Sequence, residues 1–243
     1  MQLPVVRGVI DRRILVNYRI VPEVLAGVLP PPFRPKLAHG FGIAGVCLIR
    51  MKQIRPRFVP KALGIASENA AHRIAVEWEE NGQLQEGVFI PRRDTSSRLN
   101  TLVGGRIFPG FHHQAQFEVR EREGHFYVAL QSDDGETRLV VEGNAAAQLP
   151  ATSVFQSVAE ASAFFEAGSL GYSVTPRSGI FDGLELRSLT WTVTPLAVTQ
   201  VYSSFFVDET CFPPGSVEFD CALLMQGINH EWHARETLCA AAN

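Results

Sequence analysis

Lysine is scarce in this chain. Of 22 basic residues in 243 positions only Lys36, Lys52 and Lys61 are lysines, so no side-chain amine is available for imine chemistry beyond Lys61. Long apolar runs are also missing. The longest, Phe41 to Ile49, spans nine residues, against the ~20 that a membrane-crossing helix requires. The four cysteines form no Cys-x-x-Cys pair and match no zinc spacing, which predicts reduced, partly buried thiols in a cytoplasmic protein. Excess positive charge is absent as well: a net charge of −3 gives no drive toward nucleic acid or anionic lipid, so neither is expected as a partner. Met1 to Arg7 lacks the basic and then apolar order of a secretory leader. No phosphate-binding Walker loop, Gly-x-Ser-x-Gly elbow or His-Glu-x-x-His motif occurs.

What is present reads as strands. Ile14, Val16, Tyr18 and Ile20 alternate with Leu15, Asn17 and Arg19 at the period of a half-buried strand. A short helix from Pro22 follows, stopped by Pro30-Pro31-Pro32. Further strands are expected at 41–51, 72–78, 85–90, 112–122, 125–131, 137–142, 184–194, 198–207 and 217–225, with a hairpin turn at Glu123-Gly124. Helices are expected over 95–103 and, behind the capping box of Ser157 and Glu160, over 157–167. Many strands, few helices and no alternation of the two predict a mainly β (α+β) chain with one largely antiparallel sheet system, curved or closed, in a single domain over 1–243.

Gly40-Phe-Gly-Ile-Ala-Gly45 matches a dinucleotide fingerprint in letters only, since no helix follows it; a tightly packed strand is the better reading. The doublets Arg12-Arg13 and Arg92-Arg93 read as solvated strand ends. His112 and His113 are neighbours on one strand, so at most one of them enters an interior. His230 and His233 would share a face if their segment were helical and could then chelate a metal with a third ligand from elsewhere. Glu68, Asn69, His72 and Arg73 place an acid, an amide, an imidazole and a guanidinium where a loop enters a strand, a composition suited to a ligand-orienting mouth.

These residues carry a family resemblance. Tyr18-Arg19, Leu25 and Leu29-Pro30 resemble the opening of acetoacetate decarboxylase. Glu68-Asn69, Gly87-Val-Phe89, Phe108-Pro109, Phe205 to Asp208, Phe212 to Ser216 and Asp220 to Trp232 resemble the branch known as domain of unknown function 2071. The resemblance implies a closed, cone-shaped antiparallel barrel with a few short flanking helices and a pocket for a small organic, anionic molecule. It also implies a loss, because aligning Phe108-Pro109 puts Gly104 and Gly105 where the decarboxylase has its lysine pair.

Three functions stay open on these grounds: an acid/base enzyme without imine chemistry, a non-catalytic binder of a small molecule, and a histidine-based metalloprotein. The expected site has Glu68 and His113 as catalytic groups and Arg98, Arg106, His112, Asn69 and Arg73 as ligand-binding groups, with no metal and no cofactor. At least two of Glu68, Arg98, Arg106 and one of the paired histidines should meet in one enclosed cavity of roughly 300–1,000 Å³. A homo-oligomer is compatible with this reading.

Overall fold

The computed structural model describes residues 5–98 and 110–240. Its strands are β1 (Val6–Ile20), β2 (Arg34–Pro35), β3 (Leu37–Ala38), β4 (Phe41–Pro56), β5 (Ile65–Glu80), β6 (Gln83–Thr95), β7 (His112–Arg122), β8 (His125–Ser132), β9 (Arg138–Ala145), β10 (Leu170–Val174), β11 (Ile180–Ser188), β12 (Thr194–Ser203) and β13 (Val217–Cys239). The helices are α1 (Pro22–Gly27) and α2 (Val158–Ala167). Pro22 starts α1, where its missing N–H costs nothing. Ser157 caps α2 by accepting from the Glu160 amide, as the capping box predicts. No described helix is long and apolar enough to cross a membrane.

All thirteen described strands belong to one sheet. The run β13-β1-β4-β5-β6 closes on itself twice: through β10 and β11, which pairs back to β13, and through β7, β8, β9 and β12, which also reaches β13. The five strands are thus a wall shared by two rings. Antiparallel pairing dominates as expected, but β6 pairs in parallel with both β7 and β10.

A shared wall must be apolar on both faces, and it is. On one face Ile14, Val16, Ala44, Val46, Leu48, Ala70, Ile74 and Leu224 are buried against Val128, Leu130, Leu139 and Val141 of β8 and β9. On the other, Leu15, Ile43, Cys47, Ala71, Ala75 and Leu223 meet Phe155 and, from α2, Ala161 and Phe165. We call these the core face and the cavity face. The near-continuous apolar run in β4 follows directly from burial on both sides. Gly45 within it has a second reason: a β-carbon there would lie 2.0 Å from the Val16 carbonyl oxygen, so the glycine permits the close approach of β1 and β4.

Several expectations shift. β13 runs to Cys239, so the segment holding His230 and His233 is extended and not helical. Three residues apart on a strand, the two rings project to opposite faces and cannot form the chelate a helix would have offered. β10 was not expected, because five residues flanked by turns carry little periodic signal. β12 begins at Thr194 and ends at Ser203, ahead of the expected span 198–207. The expected helix over 95–103 lies mostly outside the described residues, and Thr95 closes β6.

Candidate functional site

The cavity face lines a partly open space of about 100 Å³. It is smaller than the range expected above and suits a molecule of a few heavy atoms. Its apolar lining includes Ile49 and Met51 of β4, Ile90 of β6, Phe165 of α2, Leu184 and Leu186 of β11, and the indoles of Trp191 and Trp232. Its polar lining includes Arg13, Cys47, Asn69, Arg73, Arg93 and His112.

Register explains why these side chains meet. Cys47 on β4 lies opposite Leu15 on β1 and Ala71 on β5. Arg13, Asn69 and Arg73 are two residues from those partners and so share the face of Cys47. Arg93 pairs with Ala71 across β5 and β6, and His112 pairs with Arg93 across the parallel contact to β7.

The three guanidiniums have weak company. Arg13 donates from Nε to the Cys47 sulfur at 2.9 Å, lies 5.6 Å from the Trp191 ring centre, and leaves a buried Nη1 without a partner. Arg73, 4% exposed, bonds the Asn17 side-chain oxygen, lies 4.8 Å from the Phe165 ring centre, and leaves Nε without a partner. Arg93 donates to Ser173 Oγ at 3.1 and 3.0 Å. None of the three has a carboxylate within ion-pair distance among the described residues. Burial brings both Arg73 and Arg93 down to about 10 from the ordinary arginine value, which leaves each charged near neutral pH. Asp94 also borders the cavity, but its carboxylate is held by Arg92 at 2.9 Å.

His112 Nδ1 lies 3.2 Å from the Gly110 carbonyl oxygen, which can only accept, so the proton sits on Nδ1 and Nε2 is an acceptor. Burial, reinforced by the Arg93 charge, lowers this imidazole to about 3, so it is neutral under ordinary conditions. Asn69 is already engaged: it donates to Ser67 and accepts from Thr95 Oγ1 at 2.8 Å. Its role is to brace β5 against β4 and β6.

The other proposed residues that are described lie elsewhere. Glu68 precedes Asn69 on β5 and so faces the core side, where it bonds Arg12 at 2.6 Å and Arg50 at 2.5 Å. His113 likewise turns away from His112 and bonds Asp134 at 2.7 Å. Arg98 is exposed and is not among the cavity's lining residues. Arg106, Gly104, Gly105 and Phe108-Pro109 lie outside the described residues. His72, on the core face, is fully buried against Phe205 and Phe206.

Sequence reasoning missed Arg13, Cys47 and Arg93. The two arginine doublets are not solvated strand ends: Arg12 and Arg92 pair with carboxylates on the core face, while Arg13 and Arg93 enter the cavity. The available signal was two adjacent cations inside a strand pattern, which must split across the sheet. No lysine lines this cavity; Lys36 lines a smaller adjoining space, with Nζ 2.7 Å from Glu86.

The model of the DUF2071 family, described as an uncharacterized conserved protein, matches residues 10–198. This chain belongs to that family. No curated protein sequence matches it. Among solved structures it is similar to acetoacetate decarboxylase from Legionella pneumophila at 12% identity and TM-score 0.61, with 97% of this chain and 88% of that one covered. It is also similar to the enduracididine biosynthesis enzyme MppR complexed with pyruvate, at 10% identity and TM-score 0.60, covering 99% and 91%. An acetoacetate decarboxylase-like enzyme from Sphingomonas wittichii matches at 13% identity and TM-score 0.57, covering 98% and 93%. At these identities the likeness establishes an acetoacetate decarboxylase-like fold, with the strand rings described above.

Proposed function

We propose that this protein binds a small organic carboxylate in the cavity-face site and handles it without imine chemistry. The observation that carries this reading is the trio of Arg13, Arg73 and Arg93, guanidiniums lining one pocket with no carboxylate partner among the described residues. Unpaired buried charge is costly, and an anion entering the cavity supplies the missing partner through charge-assisted hydrogen bonds. The unpartnered donors Arg13 Nη1 and Arg73 Nε are suited to carboxylate oxygens, and the indoles and aliphatic groups suit a short carbon skeleton. A related fold that holds pyruvate supports the same ligand class. Imine chemistry is disfavoured because no lysine follows Lys61 and none lines the cavity.

Thermal unfolding with added acetate, pyruvate and acetoacetate tests the reading against methyl pyruvate, the neutral ester of one of them. The three acids should raise the midpoint in a concentration-dependent way and the ester should not. Borohydride added with acetoacetate should leave the intact mass unchanged. Equal effects of acid and ester, or a trapped lysine adduct, would overturn the proposal. Turnover of the acids followed by proton NMR separates an enzyme from a binder.

A further inference from the structure

Cys47 belongs to the cavity's polar lining. It is 3% exposed, its sulfur accepts the Arg13 Nε–H at 2.9 Å, and its cross-strand neighbours on the same face include Arg73. The other thiols have different settings. Cys221 is buried behind Asn17, while Cys211 and Cys239 are exposed. Only Cys47 combines a cavity position with guanidinium neighbours. Arg73 is the independent sign of a ligand here, since it is 96% buried, lines the same space, and leaves Nε without a partner.

We infer that Cys47 is a covalent capture site for small carboxylates that carry an electrophilic carbon, 2-oxo acids being the natural class. The inference rests on the proposed anion site. The guanidiniums that draw the carboxylate into the cavity also fix it beside the sulfur, and holding two reactants together in this way replaces a bimolecular encounter. In the addition step the sulfur of Cys47 forms a bond to the 2-carbon, and the carbonyl π pair moves to oxygen. That oxygen takes up the proton the thiol gives up, yielding a thiohemiketal. No oxidant or reductant is required, and reversal releases the unchanged acid. In a molecule without a lysine in its cavity, this thiol is the one strong nucleophile among the described lining residues.

A matched pair of alkylating agents tests the idea on the full chain. Iodoacetate and iodoacetamide deliver similar carbons, each forming a sulfur–carbon bond with loss of iodide and of the thiol proton to solvent. They differ in charge at the far end. Peptide mapping by mass spectrometry reads each cysteine separately, so Cys211 and Cys239 serve as references in the same tube. The ratio of iodoacetate to iodoacetamide rates should be about tenfold or more higher at Cys47 than at the references, the worth of one charge-assisted hydrogen bond. Propionate, which is unreactive, should slow Cys47 labelling by iodoacetate and leave the references unchanged. Arg73→Gln should bring the Cys47 ratio down to theirs, and the propionate competition keeps the test decisive if that variant fails to fold. A ratio equal at all three cysteines, or no competition, would overturn the inference. If carboxylates still raise the unfolding midpoint in that case, only the covalent step falls; if they do not, the anion site falls with it.

Discussion

The two faces of one wall treat the same residue type in opposite ways. On the core face, Arg12 is 1% exposed and bridges Glu68 and Glu121 at 2.6 Å each, Arg50 bonds the same two acids, and Arg92 gathers Asp94, Asp134 and Glu136. Every one of those guanidiniums has a carboxylate. One residue further along each of β1 and β6, Arg13 and Arg93 have none among the described residues, and Arg73 shares their condition. A buried cation with its partner built in is architecture, because its charge is satisfied when the chain folds. One buried cation and two half-buried ones without built-in carboxylates mark the place where the fold leaves charge for something else to satisfy.

The largest effect that can break this comparison is on the matched side. Replacing Arg12 by Leu leaves Glu68 and Glu121 facing each other with Arg50 alone between them, and should lower stability by about 3 kcal/mol in urea denaturation. Carboxylate affinity should stay as in the wild type. Loss of binding with stability intact would show that the functional assignment of the faces is reversed.

On the unmatched side, Arg73→Gln should act the other way round. Removing a buried cation that lacks an acid should leave stability unchanged or higher, while the affinity for pyruvate, measured by calorimetry, falls by about tenfold to a hundredfold. A variant that binds normally but unfolds easily would make Arg73 a structural residue.

A smaller effect sharpens the comparison through its exception. His72 sits on the core face with both ring nitrogens buried and unpartnered, and burial lowers it from 6.5 to about 3, with the Arg92 charge adding to the shift. Above pH 6.5 the imidazole is neutral whether the chain is folded or not. Below it the unfolded chain takes up a proton that the folded chain refuses, so stability falls as pH drops, by about 1.4 kcal/mol per unit toward about 3. His72→Phe should remove that share of the acid sensitivity, seen as a flatter dependence of urea stability on pH between 6.5 and 5. An unchanged slope would mean that His72 gains a proton while folded.

The legibility of this fold and site in the sequence divides along physical lines. The strand over 14–20 and the capping box at Ser157 depend on neighbours a few residues away and are read correctly from the chain, although Ile14 to Tyr18 are buried on both faces and not on one. The split of His112 from His113 is local in the same sense. Applied consistently, the same rule separates Glu68 from Asn69 and Arg12 from Arg13, and keeps Glu68 and Asn69 from sharing one site. What no local pattern carries is which face becomes the cavity. That depends on β10 and β11 bridging β6 to β13, a closure between residues far apart in the chain, and on the parallel contact that brings His112 beside Arg93. The end of β13 misleads for a related reason. Its spacing of histidines fits a helix, and only pairing with β1 and β11 holds it extended.

The wall shared by two rings also places a rule of parity on the gene. Removing one codon within β5 ahead of Glu68 would exchange the outlooks of Glu68 and Asn69 and of His72 and Arg73, presenting an acid to the cavity and a fourth guanidinium to the core face. Adding or removing two would preserve them. Sequences descended from this one should therefore change length more readily at exposed turns such as Asn81-Gly82 than inside the wall, and in β1, β4 and β5 by even steps or beside a compensating bulge of the kind already found between Asn17 and Tyr18.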